Sequence, residues 1–368
     1  MTQPLPARPS ELLGADLPAL EHLVEGLGEK RFHARQIYHW VYARRVESFE
    51  RMTSLSRPLR EKLAGGHTLS RPRVVKVQES SDGTRKYLMA APGGGQVESV
   101  WIPEEDRLTF CISPQIGCAL DCHFCLTAQL GLVRHLTAGE IVGQVLVLLD
   151  DNATRARGRP VNIVMMGMGE ALHNYDNAVA AVRLLADAGG VGIPRRRITL
   201  STAGMAPGIL RLAAEPVRPR LAVSLNATTD AIRSRLMPVN RRYPLDTLLD
   251  ACRRYPLAPR ERLTFEYVLL RGINDSAVDP PRLAALINRH QLRAKVNLIP
   301  FNEGGGLDFA EPSTESVQAF RDDLLALGVP VSIRRNRGRD ISAACGQLAL
   351  TAAAGRDAAV GKKTPTHN

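Results

Sequence analysis

The stretch RLTFCISPQIGCALDCHFC, Arg107 to Cys125, runs from an apolar, β-rich segment straight into a loop crowded with cysteines. The chain has six cysteines, and three of them, Cys118, Cys122 and Cys125, lie in this loop. A parallel α/β fold places its active site at the C-terminal ends of its strands. If RLTFCIS is a strand, the cysteines stand where chemistry is expected, and the fold turns on whether other strands deliver loops to the same mouth.

The sequence beyond it has that rhythm. The β-rich runs VNIVMMG, RRITLST, RLAVSLN, RLTFEYVLL and AKVNLIPF alternate with helix-like stretches such as TAGEIVGQVLVLLD, NAVAAVRLLADA, PLDTLLDACRRY, PRLAALINRH and STESVQAFRDDLLALG. The first of these helices has Thr137 three residues before Glu140, a capping box. Alternation of this kind predicts a parallel sheet, because each helix is a right-handed crossover between neighbouring strands. Six βα units are too few for a complete eight-fold barrel, so the expectation is a partial barrel or an open sheet. Strand ends carry GMGEALHN, STAG, NATT and NEGGG, which should converge with the cysteine loop.

Working back to the N-terminus, apolar residues recur at helical spacing from Glu11 to about Ala64, with Gly28 as a break, which predicts a small helical domain. RVVKVQESSDGTRKYLMA reads as a β-hairpin around Ser-Asp-Gly, and GGGQVESVWIP as an extra strand. The tail TAAAGRDAAVGKKTPTHN is small and polar, and is expected to be disordered. The predicted organisation is therefore α/β: an N-terminal helical domain over 1–70, hairpin and linker strands over 71–103, a partial (β/α)6 barrel or an open sheet over 104–350 and a disordered tail over 351–368.

Composition bounds function. The chain has 368 residues, 44% hydrophobic, enough for a large core. Lys plus Arg outnumber Asp plus Glu by 48 to 37, net +11, in short Arg clusters such as GIPRRRIT, RSRLMPVNRR and IRRNRGR. That pattern fits a basic face for a polyanion, the plainer reading being Arg-rich solvated surface. The chain opens without a secretory signal, and no apolar run reaches membrane-spanning length. A soluble cytoplasmic protein follows, in which clustered cysteines bind metal or do redox chemistry.

Thiolates spaced three and two apart wrap one soft centre and leave a coordination position open. Zinc with His123 or water as fourth ligand is one possibility, although structural zinc sites bring two separated pairs. An iron–sulfur cluster held by three cysteines, with one iron open to substrate, is favoured by the spacing. Buried thiols without function are the third.

Cys-x3-Cys-x2-Cys with Phe124 before the last cysteine resembles the signature of radical S-adenosylmethionine enzymes, and the GMGE loop resembles their segment for the methionine amino group. VESVWIP, GCALDCHFC, GMGEALHN, LMPVNRRYPL, FEYVLLRGIND, VNLIPFN and ISAACGQL resemble, in order, the RlmN/Cfr family of RNA adenine methyltransferases over nearly the whole chain. The resemblance implies one 4Fe–4S cluster on Cys118, Cys122 and Cys125. It implies S-adenosylmethionine held by Gly169, Glu170, Ser201, Ser224, Leu225, Asn226 and Asn302, two molecules being used per turnover. It assigns Cys345 as the methyl-carrying cysteine, Cys111 as the thiol that releases product and leaves a disulfide, and Glu98 as proton acceptor. Implied substrates are carbon 2 of an adenine in the peptidyl-transferase region of 23S rRNA and the adenine beside the tRNA anticodon. A flavodoxin or ferredoxin is the implied electron donor, and the protein is expected to be a monomer.

Taken singly, these residues have plainer readings. Cys345 and Cys111 suit small buried hydrophobes, Glu98 a surface carboxylate, and the Ser and Asn residues turns and caps. Cys252, in DACRRY, is read as structural. Three positions depart from the family pattern: Asn226 stands where His is usual, and Ala171 and Glu303 replace prolines. Ala171 is shared with the branch that methylates carbon 8, so that activity is the enzymatic alternative. A zinc-stabilised RNA-binding protein is the non-catalytic one. A methylthiolating enzyme would carry a further cysteine set upstream, and none precedes Cys111.

Overall fold

The computed structural model describes residues 9–156, 158–303, 306–334 and 337–349; the expected disordered tail lies outside the described residues. The N-terminal module holds three helices, α1 (Leu17–Gly26), α2 (Phe32–Tyr38) and α3 (Arg57–Gly66). A parallel pair, β1 (Ser10–Glu11) with β2 (His67–Thr68), joins its two ends. Asp16 caps α1 by accepting from the Ala19 N–H at 3.0 Å. Gly28 breaks the helical run in the left-handed region, φ +74°.

The module meets the rest of the chain backbone to backbone. A Cβ on Gly14 (φ +109°) would lie 2.6 Å from the Gly139 nitrogen, and one on Gly139 would lie 1.9 Å from the Leu13 carbonyl oxygen. The Tyr42 hydroxyl secures the contact, accepting from the Gly14 N–H at 2.9 Å and donating to the Ala15 carbonyl at 2.8 Å.

Next come β3 (Arg73–Glu79), β4 (Arg85–Ala90) and β5 (Gln96–Pro103), an antiparallel meander, then β6 (Leu108–Cys111). The cysteine loop follows, bracketed by the small antiparallel ribbon of β7 (Gln115–Gly117) and β8 (Leu132–His135) and containing the short helix α4 (Leu126–Gln129). Helix α5 (Ala138–Asp151) carries the expected capping box: the Glu140 N–H donates to the Thr137 hydroxyl, and the Thr137 N–H to the Glu140 carboxylate. After it, β9 (Val161–Met165), β10 (Ile198–Thr202), β11 (Arg220–Ser224), β12 (Leu263–Leu269), β13 (Ala294–Pro300) and β14 (Val331–Ile333) join in parallel. The strand order is β14-β13-β12-β11-β10-β9-β6-β5-β4-β3.

The six expected barrel strands are thus β6 and β9 to β13, and β14 adds a seventh too short to show periodicity. The meander extends the barrel's own sheet. Val100 on β5 pairs with Cys111 on β6, so the same sheet continues through it. Its strands β4 and β5 are buried on successive residues, which requires cover on both faces.

Along the parallel strands, alternate residues face opposite sides. Phe110, Ile163, Leu200, Val223, Phe265 and Leu298 are fully buried in the main core. On the other face, Thr109, Val164, Thr199, Thr264, Asn297 and Ser332 instead line a single cavity of about 630 Å³. A sheet whose strands from β6 to β14 border one lumen is curled into a partial barrel.

Candidate active site

Glycine geometry shapes the cysteine loop. Gly117 has φ +73°, and a Cβ there would fall 1.8 Å from the Gly131 carbonyl oxygen, so only glycine lets β7 pass this close to its return strand. The Cys118 N–H then donates to that carbonyl at 2.9 Å, Asp121 turns the chain at φ +52°, and the Cys125 N–H closes on the Cys122 carbonyl at 3.0 Å. Leu120, Cys122 and Phe124 pack against Ala203, Leu236, Met237, Leu270 and Phe301, which anchors the loop over the ends of β10 to β13.

All three cysteines border one cavity at those strand ends, together with Gly169, Glu170, Ser201, Ser224, Asn226 and Asn302. Burial pushes the Cys118 thiol up to about 12 and raises those of Cys122 and Cys125 as well. Thiolates in such a place need positive charge supplied among them. Among the described residues, no three His, Cys, Asp or Glu groups converge on a single ion. The His123 side chain is 46% exposed, beside Asp121. His123 does not border the cavity, so three thiolates are what the loop brings to it, a donor set that suits an iron–sulfur cluster with one iron left open.

Glu170 is held rigidly. Its carboxylate accepts from the Ala203 N–H at 2.7 Å and the Leu172 N–H at 3.1 Å, and its own N–H donates to Gln115 Oε1 at 2.7 Å. Burial raises its pKa, and the Ala203 and Leu172 N–H groups oppose the rise. Gly169, φ +100°, lies so close to Gln115 that a Cβ would come within 2.5 Å. Asn226 occupies the left-handed region at φ +59°, a conformation asparagine tolerates. Its amide is already engaged, Oδ1 accepting from the Val268 N–H at 2.8 Å and Nδ2 donating to Met237 Sδ at 3.2 Å. The Leu225 side chain is fully buried in the main core and does not border the cavity. Only its backbone faces the strand ends, with the N–H donating to the Glu266 carbonyl at 3.0 Å.

The barrel lumen meets this cavity from the other side. Cys345, Arg334, Glu266, Met166, Ile299 and Leu348 border both spaces and form the partition between them. Cys111, at the end of β6, borders the lumen, and burial pushes its thiol up to about 12, with Cys345 as the next contribution. The two cysteines outside the loop that the sequence singled out are thus electrostatic neighbours. The lumen wall carries Arg107, Arg220, Arg260, Arg262, Lys295 and Arg337 toward the N-terminal ends of the strands, so the end opposite the cysteine loop is basic.

Glu98 borders neither cavity. It is 2% exposed, paired with the equally buried Lys86 at 3.3 Å, and accepts from the Ala349 N–H at 2.9 Å. Lys86 also donates to the Ser342 carbonyl at 3.2 Å. The segment from Ser342 to Ala349, which bears Cys345, therefore covers Glu98. Cys252 is buried in the main core, as expected.

Sequence reasoning missed Arg233. It is fully buried, and its guanidinium donates to the carbonyls of Leu225, Ala203 and Ser224 and to Asn240 Oδ1, tying the ends of β10 and β11 together. Burial lowers its pKa to about 10. The signal was faint: one arginine among many in RSRLMPVNRR, with Asn240 in the same run.

Comparison with known proteins bears on these features. Residues 10–68 match the model of the ribosomal RNA large subunit methyltransferase N-terminal domain, and residues 112–280 that of the radical SAM superfamily. The dual-specificity RNA methyltransferase RlmN of Pelobacter propionicus is 48% identical over 92% of this chain and 95% of its own length. The protein of the same name from Rhodospirillum rubrum is 47% identical over 95% of the chain and 82% of its own. The crystal structure of a radical SAM methyltransferase from Sphaerobacter thermophilus superposes with a TM-score of 0.87 at 44% identity, covering 92% of this chain and 99% of that one.

Proposed function

The chain belongs to the RlmN family of radical SAM RNA methyltransferases, and on that premise we propose that it methylates carbon 2 of adenine in 23S rRNA and in tRNA through a methyl group carried on Cys345. The observation that carries the reading is the partition: Cys345 stands between a cavity bordered by three cysteines and a lumen that is basic at its far end and bordered by Cys111.

Carbon 2 of adenine lies between two ring nitrogens, so it is a poor nucleophile and its hydrogen is only weakly acidic. A carbon radical adding to the ring avoids both obstacles. When bound, the iron–sulfur cluster and S-adenosylmethionine supply the methyl group and the hydrogen-abstracting radical. Cys118, Cys122 and Cys125 hold the cluster. Gly169, Glu170, Ser201, Ser224, Asn226 and Asn302, with the Leu225 backbone, hold S-adenosylmethionine. Cys345 presents its sulfur-bound carbon to the base in the lumen. Once the adduct has returned one electron to the redox centre that supplied it and Glu98 has taken the ring proton, the Cys111 thiolate attacks the Cys345 sulfur, forming a disulfide and breaking the sulfur–carbon bond, whose electron pair stays on the carbon and takes up a proton to complete the methyl group. For Glu98 to act, its carboxylate must exchange the Ala349 N–H that now engages it for the ring proton.

The arginines at the lumen's far end and the N-terminal module, residues 1–70, grip RNA phosphates, and the target base leaves its stack to enter the barrel. The same reading takes a flavodoxin or ferredoxin as electron donor, the cytoplasm as compartment and the monomer as working unit. No helix among the described residues is long and apolar enough to cross a membrane. The test is product identity. Protein reconstituted with iron and sulfide under anaerobic conditions, given reductant, S-adenosylmethionine and a 23S rRNA fragment or tRNA, should yield 2-methyladenosine by mass spectrometry. A product of 8-methyladenosine would overturn the regiochemistry, and no product with an intact cluster would overturn the function.

A further inference from the structure

One carboxylate on the partition has no part in that scheme. Glu266, mid-strand on β12, is 5% exposed and borders both cavities beside Cys345 and Arg334. Its Oε1 accepts from Asn297 Nδ2 at 3.0 Å, and Asn297 Oδ1 accepts from the Ser332 hydroxyl at 2.6 Å, so the group is fixed from one side. Its Oε2 has no hydrogen-bond partner among the described residues. A buried carboxylate oxygen without a donor is costly, and such a group commonly marks a place where a ligand supplies one. Burial raises the pKa of Glu266, and Arg334 is the first group to oppose the rise. Arg334 is itself poorly matched, reaching the weak acceptor Met166 Sδ at 3.7 Å.

A fixed acceptor beside a guanidinium donor complements an edge that offers an amino donor next to a ring-nitrogen acceptor. Adenine has that edge in its exocyclic amino group and N1. Guanine offers the opposite order, an acceptor at position 6 and N–H at position 1. Along the adenine edge the atoms run amino group, N1, carbon 2, so a base held by the first two presents the third as the next position along the wall that Cys345 shares.

We propose that Glu266 is the residue that reads the target adenine, its Oε2 accepting from the exocyclic amino group while Arg334 donates to the neighbouring ring nitrogen. The proposal rests on the RNA-methylating function above. S-Adenosylmethionine carries an adenine of its own, and Glu266 borders its cavity too, so the experiment has an arm for each source.

Unreduced, cluster-reconstituted protein is titrated, by fluorescence anisotropy, against an anticodon-arm RNA with adenosine at the target position and against the same RNA with purine riboside, which lacks the amino group. Wild type should bind the adenosine RNA about tenfold or more tighter, the worth of one hydrogen bond to a charged acceptor. In Glu266→Gln the oxygen stays on Asn297 and the amide turns a donor toward the base, so the preference should fall to about one. Equal affinity of both proteins for the purine RNA shows that the variant is folded, and S-adenosylmethionine affinity should be unchanged.

The proposal is overturned if wild type does not distinguish the two RNAs, a result that needs no variant. It is also overturned if Glu266→Gln keeps the wild-type preference, or loses S-adenosylmethionine while retaining that preference. Wild type that binds neither RNA better than an unrelated one overturns the RNA reading, and this proposal with it.

Discussion

The Thr127 hydroxyl donates to the Leu348 carbonyl at 2.6 Å, so the first turn after the cysteine loop is fastened to the chain three residues beyond Cys345. The Leu126 N–H adds a second tie, to the Gly346 carbonyl at 2.7 Å. Thr127→Val keeps the shape and removes one buried hydrogen bond, at a cost of about 1 kcal/mol. Amide exchange over residues 342–349 should quicken about fivefold and methylation should slow, with iron content unchanged. Unaltered exchange would show that the tie does not hold the segment.

Cys345 and Cys111 have opposite failure modes. Cys345→Ala should abolish methylation while leaving cluster absorbance intact, because the carbon carrier is gone. Cys111→Ala should still join the base to Cys345 but fail to release it, leaving a protein–RNA adduct visible on a denaturing gel. An adduct in Cys345→Ala, or full turnover by Cys111→Ala, would refute the division of labour.

Gly169 combines φ +100° with a Cβ position 2.5 Å from Gln115. Gly169→Ala meets both the left-handed backbone penalty and a clash beside Glu170, together about 1–3 kcal/mol. Affinity for S-adenosylmethionine, measured by equilibrium dialysis, should fall at least tenfold. Gly158, φ +76°, has nothing within 4 Å of its Cβ position, so Gly158→Ala serves as a control for backbone strain alone.

Glu140 links stability to pH. Burial would raise its pKa, but the Arg134 hydrogen bond, then the Thr137 and Gly93 N–H groups, bring it below the ordinary 4.5. A depressed carboxylate contributes stability that is complete above its unfolded pKa and is lost as pH falls through its folded one. The melting-temperature gap between wild type and Glu140→Gln should therefore be widest near neutral pH and close as the medium is acidified below about 4.5. A gap that widened on acidification would reverse the assignment.

Periodicity exposed the barrel strands because each has an apolar outward face, as in Phe110, Leu200 and Phe265. The inward set Thr199, Thr264, Glu266 and Asn297 was equally regular, but polar residues inside a strand look like a solvated face until the curl of the sheet turns them inward. Strand β14 escaped notice because three residues do not establish a period. The cysteine loop, GMGE and AACGQL were legible as local motifs. Arg233 and the cover over Glu98 were not, since both depend on contacts between segments distant in sequence: Arg233 Nη2 meets the Ala203 carbonyl, and Glu98 meets Ala349. At Leu225 the motif SLN could not say whether backbone or side chain faces the site, because at a strand end the two point to different places.

The contact between Gly14 and Gly139 sets a gauge. Main chain touches main chain there, so no side chain can lengthen, shorten or re-angle the joint, and α5 carries the N-terminal module as a fixed arm and not on a tether. If the module grips RNA as proposed, that RNA would be measured against the barrel from a constant origin. On the proposed function, the length of folded RNA between that grip and the target would select the nucleotide that reaches Cys345, and stem length would join base identity as a substrate property.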